Sequence, residues 1–344
     1  MEVVGGFQDS APRIVAVEIA DPSQVGEARR TAARLATDAG LDETAVGRVS
    51  LVATELGTNI LKHATRGEII LRSRDTPDAP SIELVAIDSG PGIADIDRAL
   101  RDGYSSAGSH GHGLGALSRL TSSFDVFTAA GRGTVFLARI DATGGSSAAP
   151  GMSVGVVRVP KAEEPVCGDD WGLTSYAGGA SLFVVADGLG HGLAAADAAG
   201  LAVRAMAGGR EMGATEAMTI IHGALRNTRG AAVATAFIPP GHRSVRFSGV
   251  GNISAFIVGP GASKTLVSHN GIVGHNARRI QEFEYAWPAG ALLIMHSDGL
   301  SGRWNLDDYP GLTSRDPSII AAVLYRDFTR RRDDSIVVVA RALD

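Results

Sequence analysis

The chain has 344 residues, enough for two domains, and its 44% hydrophobic and 20% charged side chains allow each half a core of its own. A net charge of −5 argues against a sequence-independent grip on nucleic acid, and the lone cysteine, Cys167, rules out an intrachain disulfide and fits a reducing compartment. No apolar run reaches membrane-span length and no basic-then-apolar signal opens the chain, so a cytoplasmic protein with neither membrane nor nucleic-acid partners is expected.

In chain order, helical spacing covers residues 25–39. Asp42 then reads as the N-cap of a second helix running to about His63, with Val46, Val49, Val52, Leu56 and Ile60 as its buried stripe. Strands are predicted at 68–73 and 81–87, a short helix at 114–120, and strands at 124–129 and 133–140. The small, polar, Gly- and Pro-containing stretch 141–151 reads as a linker, dividing the chain into domains 1–140 and 152–344. The second domain opens with a strand at 152–159. A buried strand at 181–186 ends abruptly at Asp187-Gly188, and Ala-rich helices follow at 192–207 and 213–226. Strands at 231–238, 244–250, 252–258, 291–296 and 335–342 complete it. The fold class is α+β: an α/β sandwich, then a β-sandwich flanked by helices.

Glu55 and Asn59 lie one turn apart on the second helix, so their side chains point the same way. An Asn oxygen can ligate Mg²⁺ when phosphates and waters complete the shell, and a nearby carboxylate can take a proton from an attacking hydroxyl. The strand 81–87 runs into DSGPGI, which sets Asp88 at a strand end between backbone-permissive Gly90 and Gly92; a carboxylate there can accept from an adenine amino group. In HGHGLGALSRL, Gly111, Gly113, Leu114 and Gly115 lead into a helix whose free N–H groups can hold phosphate oxygens. GRGTVF turns into a strand, where Thr134 reads either as a further ligand contact or as a hairpin residue. Lys62 and His63 receive no role beyond a helix end.

Carboxylates recur at turns in the second half: GDD (168–170), ADG (186–188), SDG (297–299) and RDDS (332–335). Strand ends in one sandwich can converge, and converging carboxylates repel unless cations stand between them. Two divalent ions would neutralise such a cluster and hold an activated water for in-line attack on a phosphate ester. Oxygen-only ligands favour Mg²⁺ or Mn²⁺ over zinc. Asp-Gly is also a common turn, and it is the combination of four acidic turns beside apolar strands that carries weight. His191 in GHG reads equally as a contact with the site or a strand-to-helix turn, and Gly251-Asn252 as a hairpin.

The order of ELGTNILKHA, DSGPGI, GHGLGA and GRGT resembles the GHKL ATPase family, with its Bergerat-type ATP-binding fold, over about residues 20–140. No phosphoacceptor-histidine helix pair precedes these motifs, and GYSSAG (103–108) looks like a short nucleotide lid, so the compact RsbT-like switch kinases are the most similar branch. That resemblance implies Glu55 as general base, Asn59 as Mg²⁺ ligand and Asp88 as adenine anchor. The order GD…DG…SDG…DD over 152–344 resembles the metal-dependent (PPM-type) protein phosphatases, in their SpoIIE and RsbX branch. It implies Asp169, Asp187, Asp298 and Asp333 as metal ligands, with Gly188 contributing its carbonyl and Asp187 bridging two Mn²⁺ or Mg²⁺ ions. GDD leaves Asp169 against Asp170 open, with Asp169 favoured, and DDSI leaves Asp333 against Asp334 open. Together the resemblances imply a serine/threonine kinase and phosphatase acting on STAS-domain partners in a bacterial partner-switching pathway. The alternatives are a phosphatase with an ATP-sensing domain, or an anti-sigma binding module.

Overall fold

The computed structural model describes residues 14–74, 80–100, 114–142, 152–206, 210–241, 243–259 and 261–342. They form two compact units: residues 14–142 together with Asn305–Arg326, and residues 152–304 together with 327–342. The segment Asn305–Arg326, which a division at the linker assigns to the second half, therefore folds with the first unit.

In the first unit, β1 (Ile14–Ile19), β2 (Gly67–Arg74), β3 (Ser81–Asp88), β4 (Ser123–Ala129) and β5 (Gly133–Asp141) make one antiparallel sheet in the order β1-β2-β3-β5-β4. Helix α1 (Pro22–Asp38) starts at a capping box formed by Asp21 and Gln24. Helix α2 (Glu43–His63) starts at Asp42, whose side chain accepts from the Ala45 N–H at 2.7 Å. Val49, Val52, Leu56 and Ile60 of α2 are buried, whereas Val46 is half-buried at the edge of the core. Both helices pack on the sheet face carrying Ile69, Leu71, Ile82, Leu84, Phe136 and Ala138. Two short helices, α3 (Ile96–Ala99) and α4 (Leu114–Leu120), precede β4.

The pleat sends the alternate residues to the other face. There Ile70, Val85, Ile87, Val135 and Leu137 are buried, and Arg72, Glu83 and Arg139 stand in register across three strands. The segment 305–326, which includes most of α7 (Pro317–Phe328), meets this face. Asp316 accepts two bonds from Arg139 at 2.7 and 2.8 Å, the Ser318 hydroxyl donates to Glu83 at 3.0 Å, and the Tyr325 hydroxyl donates to Glu68 at 3.2 Å.

The second unit holds two sheets. One runs β13 (Ser268–His269), β10 (Ser244–Val250), β9 (Ala231–Ile238), β8 (Ser181–Gly188), β7 (Asp169–Ser175), with β14 (Phe283–Ala286) also on β10. The other runs β12 (Ala262–Thr265), β11 (Ser254–Gly259), β15 (Leu292–His296), β16 (Ser335–Ala342), β6 (Met152–Val159). Helices α5 (Leu193–Arg204) and α6 (Ala214–Ala224) bury alanines and methionines against the first of these sheets. Among the described residues no helix is long and apolar enough to cross a membrane.

Candidate active sites

In the first unit, the C-terminal end of β3 is built around Asp88. Its Oδ1 accepts from the Gly90 N–H at 2.8 Å and the Thr134 N–H at 3.2 Å. Burial pushes the Asp88 carboxyl above its ordinary range, against those two bonds. The backbone crowds it so closely that only glycine fits. A Cβ on Gly133, which sits at φ +90, would fall 2.0 Å from the Asp88 carbonyl oxygen, and one on Gly90 would fall 2.8 Å from the Ala64 Cβ. Gly92, at φ +77, would press on the Ala129 carbonyl in the same way. Thr134 is buried, and its hydroxyl lies 3.2 Å from that of Thr128, which also accepts from the Ile93 N–H. Glu55 and Asn59 are half-buried on one face of α2. The second glycine loop is only partly described: Leu114 and Gly115 open α4, while Gly111, Gly113 and the lid at 103–108 lie outside the described residues. A half-buried carboxylate in a cradle closed to any Cβ fits the flat edge of a purine.

In the second unit, the acidic turns converge. Asp169 and Asp187 are direct partners across β7 and β8. Asp169 is raised well above the ordinary carboxylate range by burial and by Asp187, while the Ser297 hydroxyl, donating to its Oδ2 at 2.6 Å, pulls the other way. Asp187 is raised to about 7 by burial and by the charges of Asp298, Asp333 and Asp334. Asp298 is held by Asn252, whose Nδ2 donates to its Oδ2 at 2.8 Å.

Alternation along β7 sends Asp170 the other way. It accepts from the Trp171 N–H and lies 3.7 Å from the Arg158 guanidinium, outside the cluster. Asp333 is exposed and caps the Asp334 N–H; Asp334 is buried, accepts from the Lys161 N–H through Oδ1, and leaves Oδ2 without a partner. A Cβ on Gly168 would meet that same Oδ2 at 2.6 Å, so the orphaned oxygen faces the β7 turn. Gly188 donates its N–H to the Gly168 carbonyl at 3.0 Å, which ties the two turns together. His191 is paired with Glu164 at 2.5 Å.

Among the described residues no three His, Cys, Asp or Glu side chains stand as a ready-made metal cage. The raised carboxyls and the orphaned buried oxygen nevertheless fit a divalent cation, since a cation relieves both. The Ser297 and Asn252 contacts lay beyond sequence reasoning: serine before an Asp-Gly turn and asparagine at a hairpin are both ordinary turn chemistry.

One unit thus carries a closely cradled carboxylate suited to a nucleotide, and the other a buried acidic cluster suited to divalent cations. Residues 19–140 match the histidine kinase-like ATPase domain, and residues 177–342 match the stage II sporulation protein E (SpoIIE) family. The chain is 32% identical over 107 residues to the serine/threonine-protein kinase RsbT of Bacillus subtilis (strain 168), covering 31% of this chain and 80% of that protein. Among solved structures, one described as "The bacterial stressosome: a modular system that has been adapted to control secondary messenger signaling" is 28% identical, with a TM-score of 0.51, covering 55% of this chain and 99% of that one. RsbX in complex with magnesium is 19% identical, with a TM-score of 0.49, covering 57% of this chain and 98% of that one. The chain belongs to the RsbT family of histidine kinase-like ATPases through its first part, and it carries a SpoIIE-type domain in its second. It is an enzyme of the protein serine/threonine kinase and phosphatase classes.

Proposed function

We propose that this chain both phosphorylates and dephosphorylates a serine or threonine on a STAS-domain partner in a bacterial partner-switching pathway. The observation that carries the reading is that one chain holds both a glycine-closed cradle around Asp88 and a buried cluster of mutually repelling aspartates.

In the kinase reaction, Asp88 accepts from the adenine amino group and so orients the nucleotide. Gly90, Gly92 and Thr134 shape the pocket, with Gly111, Gly113, Leu114 and Gly115 on the phosphates. Asn59 offers its amide oxygen to Mg²⁺. The Glu55 carboxylate accepts the proton of the attacking hydroxyl as the new O–P bond forms and the β–γ bridging bond breaks, releasing ADP. In the phosphatase reaction, Asp169, Asp187, Asp298 and Asp333, with the Gly188 carbonyl, would hold Mn²⁺ or Mg²⁺, Asp187 lying between two ions. Bound there, the ions supply a water of lowered pKa and charge neutralisation for in-line displacement. The chain's own part is positional: Ser297 fixes the Asp169 carboxylate, Asn252 fixes Asp298, and the free Asp334 oxygen adds negative charge to the pocket.

The test is a time course with γ-labelled ATP and a STAS-domain partner. Label should arrive and then leave. Glu55→Gln should stop its arrival while nucleotide still binds, and Asp187→Asn should leave the label on the partner. Label that never reaches the partner would rule out the kinase half and leave a phosphatase with a nucleotide-sensing domain.

A further inference from the structure

The segment Asn305–Arg326 belongs to the first unit, yet in the chain it lies between two residues of the acidic cluster, Asp298 and Asp333. Its two ends leave the second unit through a narrow neck. The Ser301 N–H donates to the Phe328 carbonyl at 2.9 Å, Leu300 bridges Thr329, and the Arg330 N–H donates to the Gly299 carbonyl at 2.9 Å. The neck adjoins the acidic turns directly. A Cβ on Gly299 would lie 1.9 Å from the Asp334 carbonyl oxygen, and Arg331, two residues before Asp333, is held at φ +52. That left-handed conformation is unfavourable for a residue with a long side chain, so the neck is a strained point.

At its other end the segment is clamped. Asp316 takes a bidentate pair from Arg139, and Ser318 reaches Glu83. The clamp extends to the nucleotide end of the sheet. Tyr325 bonds Glu68, whose neighbour Gly67 pairs in register with Asp88. Arg326, buried and last in the segment, is near enough for its charge to favour the Asp88 carboxylate. The β3 strand carries both Glu83 of the clamp and Asp88 of the cradle.

We propose that Asn305–Arg326 is a strap through which nucleotide at Asp88 alters the neck at Leu300–Thr329 and hence the setting of Asp298 and Asp333. A ligand shifts a conformational balance only by interacting differently with its two states. The difference here is specific: an adenine N–H donating to Asp88 draws on the same carboxylate that the Arg326 charge favours. The strap then has six residues of chain between Arg326 and Asp333, and six between Asp298 and Asn305, in which to convey the change. Because such coupling is reciprocal, filling the acidic site acts back on nucleotide affinity.

The inference rests on the nucleotide reading of the Asp88 cradle, and the experiment separates the two. Amide hydrogen exchange is followed in the full chain with and without ADP at one fixed Mg²⁺ concentration. Peptides over 85–93 report binding and peptides over 296–304 and 328–336 report the neck. The expected result is protection at 85–93 and a change of about fivefold or more in exchange at the neck. The neck change should disappear in Asp316→Ala and shrink in the milder Tyr325→Phe, with protection at 85–93 kept. Protection at 85–93 with an unmoved neck overturns the strap alone, as does a neck response of full size in both variants. No protection at 85–93 overturns the nucleotide reading and the strap with it.

Discussion

Glu83→Gln tests the buried charge row beneath the segment 305–326. Glu83 is 1% exposed and meets Arg139 Nε at 2.7 Å, Arg72 at 3.2 Å and the Ser318 hydroxyl at 3.0 Å. Burial pushes its carboxyl up, but Arg72, Arg139 and Arg74 together pull it further down, from 4.5 to about 2. A carboxyl held that low is stabilised in its charged form by about 3 kcal/mol, the scale on which removing one partner of a buried pair destabilises a protein. Glutamine keeps the shape and removes the charge, so Arg72 remains buried without its anion and Arg139 is left with Asp316 alone. With a urea slope of about 1–3 kcal/mol per molar, the midpoint should fall by about 1–3 M. Hydrogen exchange of peptides from 67–88 reads this unit separately from the other.

The pH dependence has a definite sign. Glu83 ionises more easily folded than unfolded, so its contribution is present above about 4.5 and is lost as pH falls toward about 2. The gap between wild type and variant should therefore be full at neutral pH and close on acidification. A midpoint that moves by less than about 0.3 M at neutral pH would refute the reasoning. The two arginines should also differ. Arg72, lowered by burial to about 10 and with Nε and one terminal nitrogen unpartnered, is poorly compensated. Arg139, raised by Glu83 and Asp316 despite its burial, is well compensated. Arg139→Met should cost more stability than Arg72→Met.

Gly133→Ala forces a Cβ against the Asp88 carbonyl at a positive φ, so ATP affinity should fall at least about tenfold, read by equilibrium binding. Ser297→Ala removes the hydroxyl that favours the charged Asp169 and also accepts from the Ile336 N–H, so half-saturation by Mn²⁺ should rise by about 10–100-fold and activity should need higher pH. Asn252→Ala frees Asp298 and should weaken Mn²⁺ by a similar factor with the fold intact by circular dichroism. In metal-free protein, the folded Asp187 keeps its proton to about 7, so stability should fall as pH rises from about 4 toward 7; Mn²⁺ should restore it, and Asp187→Asn should flatten the profile.

Local pattern made much of the chain legible. The cap at Asp42 and the 3.6-residue stripe Val49, Val52, Leu56 and Ile60 specify α2 and so set Glu55 and Asn59 on one face, because capping and periodicity are properties of neighbouring residues. Continuous apolar runs ending at Asp-Gly marked β8 and the turns that carry Asp187 and Asp298. Helix α7 was not legible: PSIIAAVLYRDF is buried along most of its length, so it lacks the alternation that betrays a helix with a wet face. β1, β7, β12, β13 and β14 also escaped, the last three being short pieces of two to four residues. Only tertiary structure decided which of two adjacent aspartates enters the cluster, since the pleat turns Asp169 toward Asp187 and Asp170 toward Arg158. It also decided that 305–326 belongs with the first unit, because Arg72, Glu83 and Arg139 become a row needing a partner only once three strands are in register, and Asp316 lies 177 residues from Arg139. Sequence fixes what a residue can do with its neighbours; which distant charge it must answer is settled by the packing of strands that the chain brings together from far apart.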